Sequence, residues 1–234
     1  MMFSEWPQFH LYILQLEQKG KVTRTFRRLD PQRQQAVILA ILGEAAESGP
    51  TDLNIKRVAR RAGVAVGSLY QYFGDRSQML DFAVELCVRY VTESFEQYGP
   101  MLAEMPLREA LQAYLLGGIE WSQAQTGFLQ LFARAAYQGD AALAERLVIP
   151  IAQVLRQMMS AIITQAVARG EVRPDVDVEA ASRLANALMI AVGDSQLLPY
   201  LDNYFQLNDP SLPPERTLNA LLDLVLKGIG AEPV

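Results

Sequence analysis

The segment from Asn54 to Leu80 limits the possible folds of this chain more than any other, because two short helical stretches meet there at one glycine. Asn54 is placed to cap a helix, its side-chain oxygen accepting from an early N–H that has no partner inside the helix. Behind it Ile55, Val58, Ala59 and Ala62 mark an apolar stripe at helical spacing, while Lys56, Arg57, Arg60 and Arg61 take the other faces. Gly63 supplies the left-handed backbone that ends a helix and turns the chain sharply. Val64 plugs the angle, and Val66 to Tyr72 forms a second short helix. Helices joined so tightly match the helix-turn-helix, whose second helix enters the major groove of DNA.

The charge distribution points the same way. The chain of 234 residues carries a net −5, yet Lys19 to Arg76 holds 11 Lys/Arg against 5 Asp/Glu, and residues 77–234 hold 10 against 19. A basic block inside an acidic chain is the electrostatic footprint of a DNA-binding module on a larger sensing or dimerising body. A solvated helix face also gives a run of cations. Its coincidence with the helix-turn-helix pattern favours the DNA reading.

The run Arg60 to Phe73, followed by Gly74-Asp75-Arg76-Ser77-Gln78-Met79-Leu80, resembles the signature of the tetracycline-repressor (TetR/AcrR) transcriptional regulators. The resemblance is close from Arg33 to Val88, about a quarter of the chain, and beyond it only helical character and length agree. Arg76 stands where the family usually has Lys, and Arg grips a phosphate with two donors rather than one point charge. The arm ahead of the first matching helix is also longer than usual. The resemblance implies an all-α fold with an N-terminal three-helix helix-turn-helix DNA-binding domain and a C-terminal helical ligand-binding and dimerisation domain. The corresponding boundaries are an arm at 1–30, a head at 31–76 and a body at 77–229.

Within the head, Val66, Gly67 and Ser68 are small enough for close approach to a groove, and Ser68 has a hydroxyl for a base or phosphate. Gln71 suits adenine, while Tyr70 and Tyr72 carry hydroxyls for phosphates. Asn54, Lys56 and Arg76 fall at helix N-termini, where the dipole favours phosphate. Against this, Tyr70 or Tyr72 has packing as an alternative, Asn54 capping alone, and Arg57, Arg60 and Arg61 pairing with acids. Leu69 and Phe73 are expected core wedges. No Arg lies on the recognition helix, so each head gains little base-specific energy and two must act together. That predicts a homodimer on an inverted-repeat operator. The last two long helices, Val176 to Tyr200 and Pro214 to Lys227, are the expected interface. Ala180, Leu184, Ala187, Leu188, Ala191 and Val192 lie on the first of them, and Leu218, Leu221, Leu222, Val225 and Leu226 on the second. Family resemblance favours these helices over ordinary intrachain core.

Helical periodicity continues almost everywhere and no convincing strand appears. Helices are expected at about 5–18, with Trp6, Phe9, Ile13 and Leu16 inward, and at 31–48. A long helix from Asp75 should close at Gly99-Pro100 and link head to body; others are expected near 106–125, 127–137, 140–169, 177–200 and 214–228. Pro150 should kink or split the 140–169 stretch. The apolar arm helix has three possible roles: packing on the body, extending the dimer or docking on a partner. Lys19, Lys21, Arg24, Arg27 and Arg28 are read as following flanking phosphates or a minor groove.

Family members usually bind a small effector inside the body, which shifts the separation of the two heads. Tyr90, Tyr114, Trp121, Phe128, Phe132, Met158 and Met189, with Tyr137 and Met159, are the apolar candidates for such a pocket, and they suit an apolar or aromatic ligand. Glu120, Gln123, Arg134 and Asn186 are candidates to orient it, although residues of all these kinds also build cores. One Cys and one His leave no expected metal or cofactor site, and no phosphate loop, nucleophile elbow or triad pattern indicates an enzyme. Gly117-Gly118 is read as a close-packing pair. No run of about eighteen uncharged apolar residues or secretory signal is found, so no membrane partner is expected and the chain reads as cytoplasmic. The reading is a dimeric, effector-responsive transcriptional regulator, more consistent with a repressor; the alternative is an architectural or constitutive DNA binder without an effector.

Overall fold

The computed structural model describes residues 6–124, 126–207, 211 and 213–230, and the side chains of residues 6–8, 119, 121–124, 126, 214 and 215, among them Trp6, Trp121 and Gln123, lie outside what is described. Within it the chain forms two compact units. One takes residues up to Val91 together with Ala124–Pro150; the other takes Thr92–Gln123 and the residues from Ile151 onward.

The first unit opens with α1 (Trp6–Gln18) and the short α2 (Arg24–Arg27). Phe9, Tyr12, Ile13 and Leu16 of α1 are buried, so the arm helix is part of the core of this unit. Phe9 sets its ring 4.8 Å from Tyr90 and 5.9 Å from Phe128, and the guanidinium of Arg89 stands 4.8 Å over Tyr12. α3 (Pro31–Ser48) starts where Asp30 accepts from the Arg33 N–H at 3.0 Å and ends at Gly49, whose φ of 91° only glycine adopts readily. After a 3₁₀ turn at Pro50–Asp52 come α4 (Ile55–Ala62), α5 (Val66–Phe73) and α6 (Arg76–Glu104).

α8 (Thr126–Gln138) lies against α3 so closely that a Cβ on Gly127 would stand 2.9 Å from the Cβ of Leu42. Arg134 of α8 donates to the carbonyls of Ala46 (2.8 Å) and Glu47 (3.1 Å), which the last turn of α3 leaves without helical partners. Cys87 is buried and its S–H donates to the Phe128 carbonyl at 3.4 Å; burial pushes its pKa up, which keeps it a thiol.

The second unit holds the end of α6, then α7 (Leu107–Ala124), most of α10 (Ile149–Ala168), α11 (Val178–Leu197), α12 (Pro199–Phe205) and α13 (Pro214–Ile229). Asp177 caps α11 through the Ala180 N–H at 3.1 Å. Arg169 closes α6 by donating to the carbonyls of Ala103 (2.9 Å) and Met105 (2.6 Å).

Several expectations need correction. α6 does not stop at Gly99-Pro100 but runs on to Glu104. Gly99 is buried beside Met158, whose Cγ would lie 3.6 Å from an added Cβ, an ordinary contact distance, so neither sterics nor backbone stops the helix there. The carbonyl that Pro100 leaves without its helical donor belongs to Glu96, an exposed residue that water reaches. The expected split of the 140–169 stretch, by contrast, is present, just ahead of Pro150: it is divided into α9 (Ala141–Leu143), a π-helical turn at Ala144–Val148 and α10. The Ile149 N–H reaches back five residues to the Ala144 carbonyl, widening the helix just before the ring of Pro150. The helix expected to reach Tyr200 breaks at Leu198, ahead of Pro199, because the residue before a proline disfavours helical backbone.

The run Ala141–Ala168 is long and apolar enough to cross a membrane by length and composition, although Glu145, Arg146 and Arg156 interrupt it, so the expectation of no uncharged apolar run of about eighteen residues stands. Ile151, Met159, Ile162 and Ile163 from it are instead buried in protein core. On α13, Leu221, Leu222 and Val225 are interior, whereas Leu224 is 63% exposed. Leu184 (67%) and Leu188 of α11 are exposed too, and with Ala220 and Leu224 they leave an open apolar face.

Truncating Phe9 to Ala should cost about 3–5 kcal/mol of stability, the range for removing a buried aromatic ring. Urea unfolding followed by circular dichroism measures it, and an unchanged midpoint would show that the arm helix does not belong to the core.

Candidate nucleic-acid interface and body cavity

The helix-turn-helix is built on one buried carboxylate. Glu44 of α3 has no solvent exposure and accepts from the Asn54 N–H at 3.2 Å and from Arg57 Nε at 2.9 Å. Arg61 stands 3.7 Å from its other oxygen and also bonds Glu47, whose carboxyl that guanidinium holds below the usual range. Asn54 caps α4, its Oδ1 accepting from the N–H groups of Lys56 (3.0 Å) and Arg57 (3.2 Å). α4 ends at Gly63 in the left-handed region (φ 66°), and the Val64 N–H returns to the Ala59 carbonyl at 3.0 Å, the bond pattern of a Schellman turn.

α5 divides into two faces. Leu69, Tyr72 and Phe73 point inward, where Phe26 meets the rings of Tyr72 (5.6 Å), Phe73 (5.2 Å) and Phe82 (5.5 Å). Gly67, Tyr70 and Gln71 are exposed on the other side, and Val66 and Ser68 are half-buried. An added Cβ at Gly67 would meet nothing within 4 Å, so this face is open. Its N-cap, Ala65, makes no side-chain bond to the first N–H groups. The C-terminal end is held by the arm: the Thr23 N–H donates to the Tyr72 carbonyl (2.9 Å) and its hydroxyl to the Gln71 carbonyl (2.8 Å).

Tyr72 is therefore a core ring, only 7% exposed, and does not share the open face with Tyr70. Arg57 and Arg61 are ion-paired. Lys56, Arg60 and Arg76 are exposed and, among the described residues, form no ion pair. In the arm, Lys19 pairs with Glu85, Lys21 with Asp81 at 3.4 Å and Arg27 with Glu17, whereas Arg24 and Arg28 are exposed and form no ion pair among the described residues.

The effector candidates separate. Tyr90, Phe128 and Phe132 are buried in the first unit, where Phe9 of α1 fills the space beside Tyr90 and Phe128. Met189 is buried in the second unit, away from the lining of its cavity. Tyr114 and Met158 do line that cavity, of about 500 Å³, with Phe95, Tyr98, Met101 and Glu120. Gly117 and Gly118 line it as well; no atom lies within 4 Å of where their Cβ atoms would stand, so they make room and do not pack closely. The α6 members, Phe95, Tyr98 and Met101, were not among the candidates, although their i, i+3, i+6 spacing marks one helix face. Tyr114 donates to Asn186 Oδ1 at 3.1 Å, and burial, then the nearby Asp194, pushes its hydroxyl pKa well up.

A capped helix, a glycine turn and a second helix with one open face define a helix-turn-helix DNA-binding protein. The family model for bacterial regulatory proteins of the tetR family matches residues 38–82, and that for the tetracyclin repressor-like C-terminal domain matches 105–192. The chain belongs to the TetR family of transcriptional regulators, which are DNA-binding proteins and not enzymes. It is 30% identical over 95 residues to the HTH-type transcriptional regulator BetI of Yersinia pestis, covering 41% of this chain and 48% of that one. The BetI of Stenotrophomonas maltophilia is 27% identical over 122 residues, 50% of this chain and 62% of that one. The chain thus spans about half the length of the curated relatives it matches.

Among solved structures, a TetR family regulator from Chloroflexus aurantiacus matches with TM-score 0.62 at 21% identity, covering 90% of this chain and 99% of that one. FadR of Bacillus subtilis, in complex with stearoyl-CoA, matches with TM-score 0.61 at 20% identity, over 84% and 99%. At these identities the likeness is one of fold.

Replacing Gly67 with Ala should leave the fold intact or raise its stability by about 0.5–1 kcal/mol, since helical Gly is costly and the site is open. Gly67→Gln should fold equally well yet weaken DNA binding by about tenfold or more by standing the helix off the groove. Melting curves together with anisotropy titrations check both, and undiminished affinity in Gly67→Gln would remove α5 from the interface.

Proposed function

We propose that the protein is a dimeric, effector-responsive repressor that acts in the cytoplasm on an inverted-repeat operator. The observation that carries this reading is the open face of α5, Gly67, Tyr70 and Gln71, flanked by Lys56, Arg60 and Arg76, cations without an ion pair among the described residues. Gln71 and Ser68 supply base-edge contacts, while Tyr70, Lys56, Arg60, Arg76 and the free N–H groups of Val66 and Gly67 hold phosphates. Asn54 serves by capping α4, and Tyr72 by supporting α5 from behind. Arg24 and Arg28 of the arm extend the phosphate contacts beyond the head.

The dimer forms through α11 and α13, because a patch containing Leu184, Leu188 and Leu224 exposed as far as 67% suits burial against a second copy. Both helices contribute, so the contact is a four-helix bundle. The effector enters the 500 Å³ cavity of the second unit. α6 supplies part of its wall and also belongs to the head unit, so a shift of this helix on binding changes the distance between the two heads. A dimer on its operator occludes polymerase, which makes repression the simplest output.

Leu184→Glu with Leu224→Glu should yield a folded monomer by sedimentation velocity, with operator affinity reduced by about a hundredfold as the two heads lose their linkage. A dimer that persists would move the interface elsewhere. Replacing both Arg24 and Arg28 with Ser should lower the slope of log K against log salt by roughly 0.9 for each phosphate no longer neutralised. A wild-type slope would leave these residues merely solvated.

A further inference from the structure

The cavity of the second unit also discriminates by charge, and its chemistry narrows the effector assigned above. Its walls are rings and thioethers: Phe95, Tyr98, Tyr114 and Met158 among them. Among the described residues that line it none is Lys or Arg, and the one carboxylate is that of Glu120. Glu120 is exposed, as are Tyr98 and Met101, whereas Met158 and Leu102 are buried, so the acid shares the open side with a ring and a thioether and the floor is apolar. The Tyr114 hydroxyl spends its proton on Asn186 and turns only lone pairs elsewhere.

Acceptors, ring faces and negative potential together favour a donor that carries positive charge. We infer that the cavity takes an amphiphile with an apolar body and one cationic amine or quaternary ammonium head, the body lying against Phe95, Tyr98 and Met158 and the head held at the rim by Glu120. Ring faces attract such a head through their quadrupoles, and do so best where water is scarce. A carboxylate or a polyphosphate head would meet the like charge of Glu120 with no compensating cation among the described lining residues, and so binds more weakly than an amine. A CoA thioester, the ligand of the Bacillus subtilis structure, is disfavoured here on that ground.

The test uses three probes with one tail and different heads: 4-phenylbutylamine, 4-phenylbutanol and 4-phenylbutanoate, titrated into the full-length protein at pH 7 by calorimetry. The amine should bind about tenfold more tightly than the alcohol, equivalent to about 1.4 kcal/mol, and the carboxylate most weakly. Glu120→Gln should abolish the advantage of the amine while leaving the affinity for the alcohol unchanged. Phe95→Ala should weaken all three. Equal or tighter binding of the carboxylate or of stearoyl-CoA, an amine preference that survives Glu120→Gln, or no binding of any probe would overturn the inference. The proposal rests on the regulator reading but fails separately from it, because operator binding in the absence of any probe tests that reading alone.

Discussion

Glu44 accepts from the backbone of Asn54 and from the side chain of Arg57 while fully shielded from solvent, so one carboxylate fixes where α4 begins and how it lies on α3. A buried carboxylate is tolerable only where its charge is paired; Oε1 of Glu44 takes the hydrogen bonds, while Oε2 accepts none among the described residues and is met by Arg61 at 3.7 Å. Here the partners are two guanidiniums, each one-third or so exposed, so part of their charge stays solvated and the burial penalty falls mainly on the acid. The angle of the Gly63 turn, and hence the aim of α5, follows from that anchor. A salt bridge at this position therefore acts as a register device more than as a source of stability.

The far end of α5 depends on the arm. Thr23 bonds the carbonyls of Gln71 and Tyr72, which a helix terminus leaves without partners. Phe26 supports the same two turns from below through Tyr72 and Phe73. The arm is held in turn by Lys19–Glu85 and Lys21–Asp81. A recognition helix of eight residues is too short to be stable alone, so its geometry is set almost entirely by these tertiary contacts.

The elements were largely legible because the signals are local: Asp30-Pro31, Asn54 and Gly63 each act within a turn of the helix they start or stop. The helix through Pro100 and the π turn before Pro150 were not, since each depends on where a freed carbonyl or a ring finds room in three dimensions. The same limit explains the effector candidates. Tyr90, Phe128 and Tyr114 all recur at apolar helical positions, and nothing local says that Phe9 of the arm fills the space beside the first two while Gly117 and Gly118 leave space beside the third. Tyr70 and Tyr72 are two residues apart, which on a helix is about 200° of rotation. One therefore faces out when the other faces in, and only the position of Phe26 decides which.

The cations of the arm and head show how the two tasks are kept apart. Those paired with acids, Arg57, Arg61, Lys19, Lys21 and Arg27, hold helices together, and their charges are largely cancelled at short range. Those left unpaired among the described residues, Lys56, Arg60, Arg76, Arg24 and Arg28, are exposed and need no folding partner. Affinity from such residues comes from releasing counterions from DNA, is insensitive to sequence and weakens steeply with salt. In the proposed interface specificity then falls to Ser68 and Gln71, without the bidentate grip on guanine that an arginine would give. A single head so built binds DNA broadly and discriminates weakly. In the proposed dimer, two heads joined through the apolar face would convert the second encounter into an intramolecular one, and the small discrimination of each would then multiply.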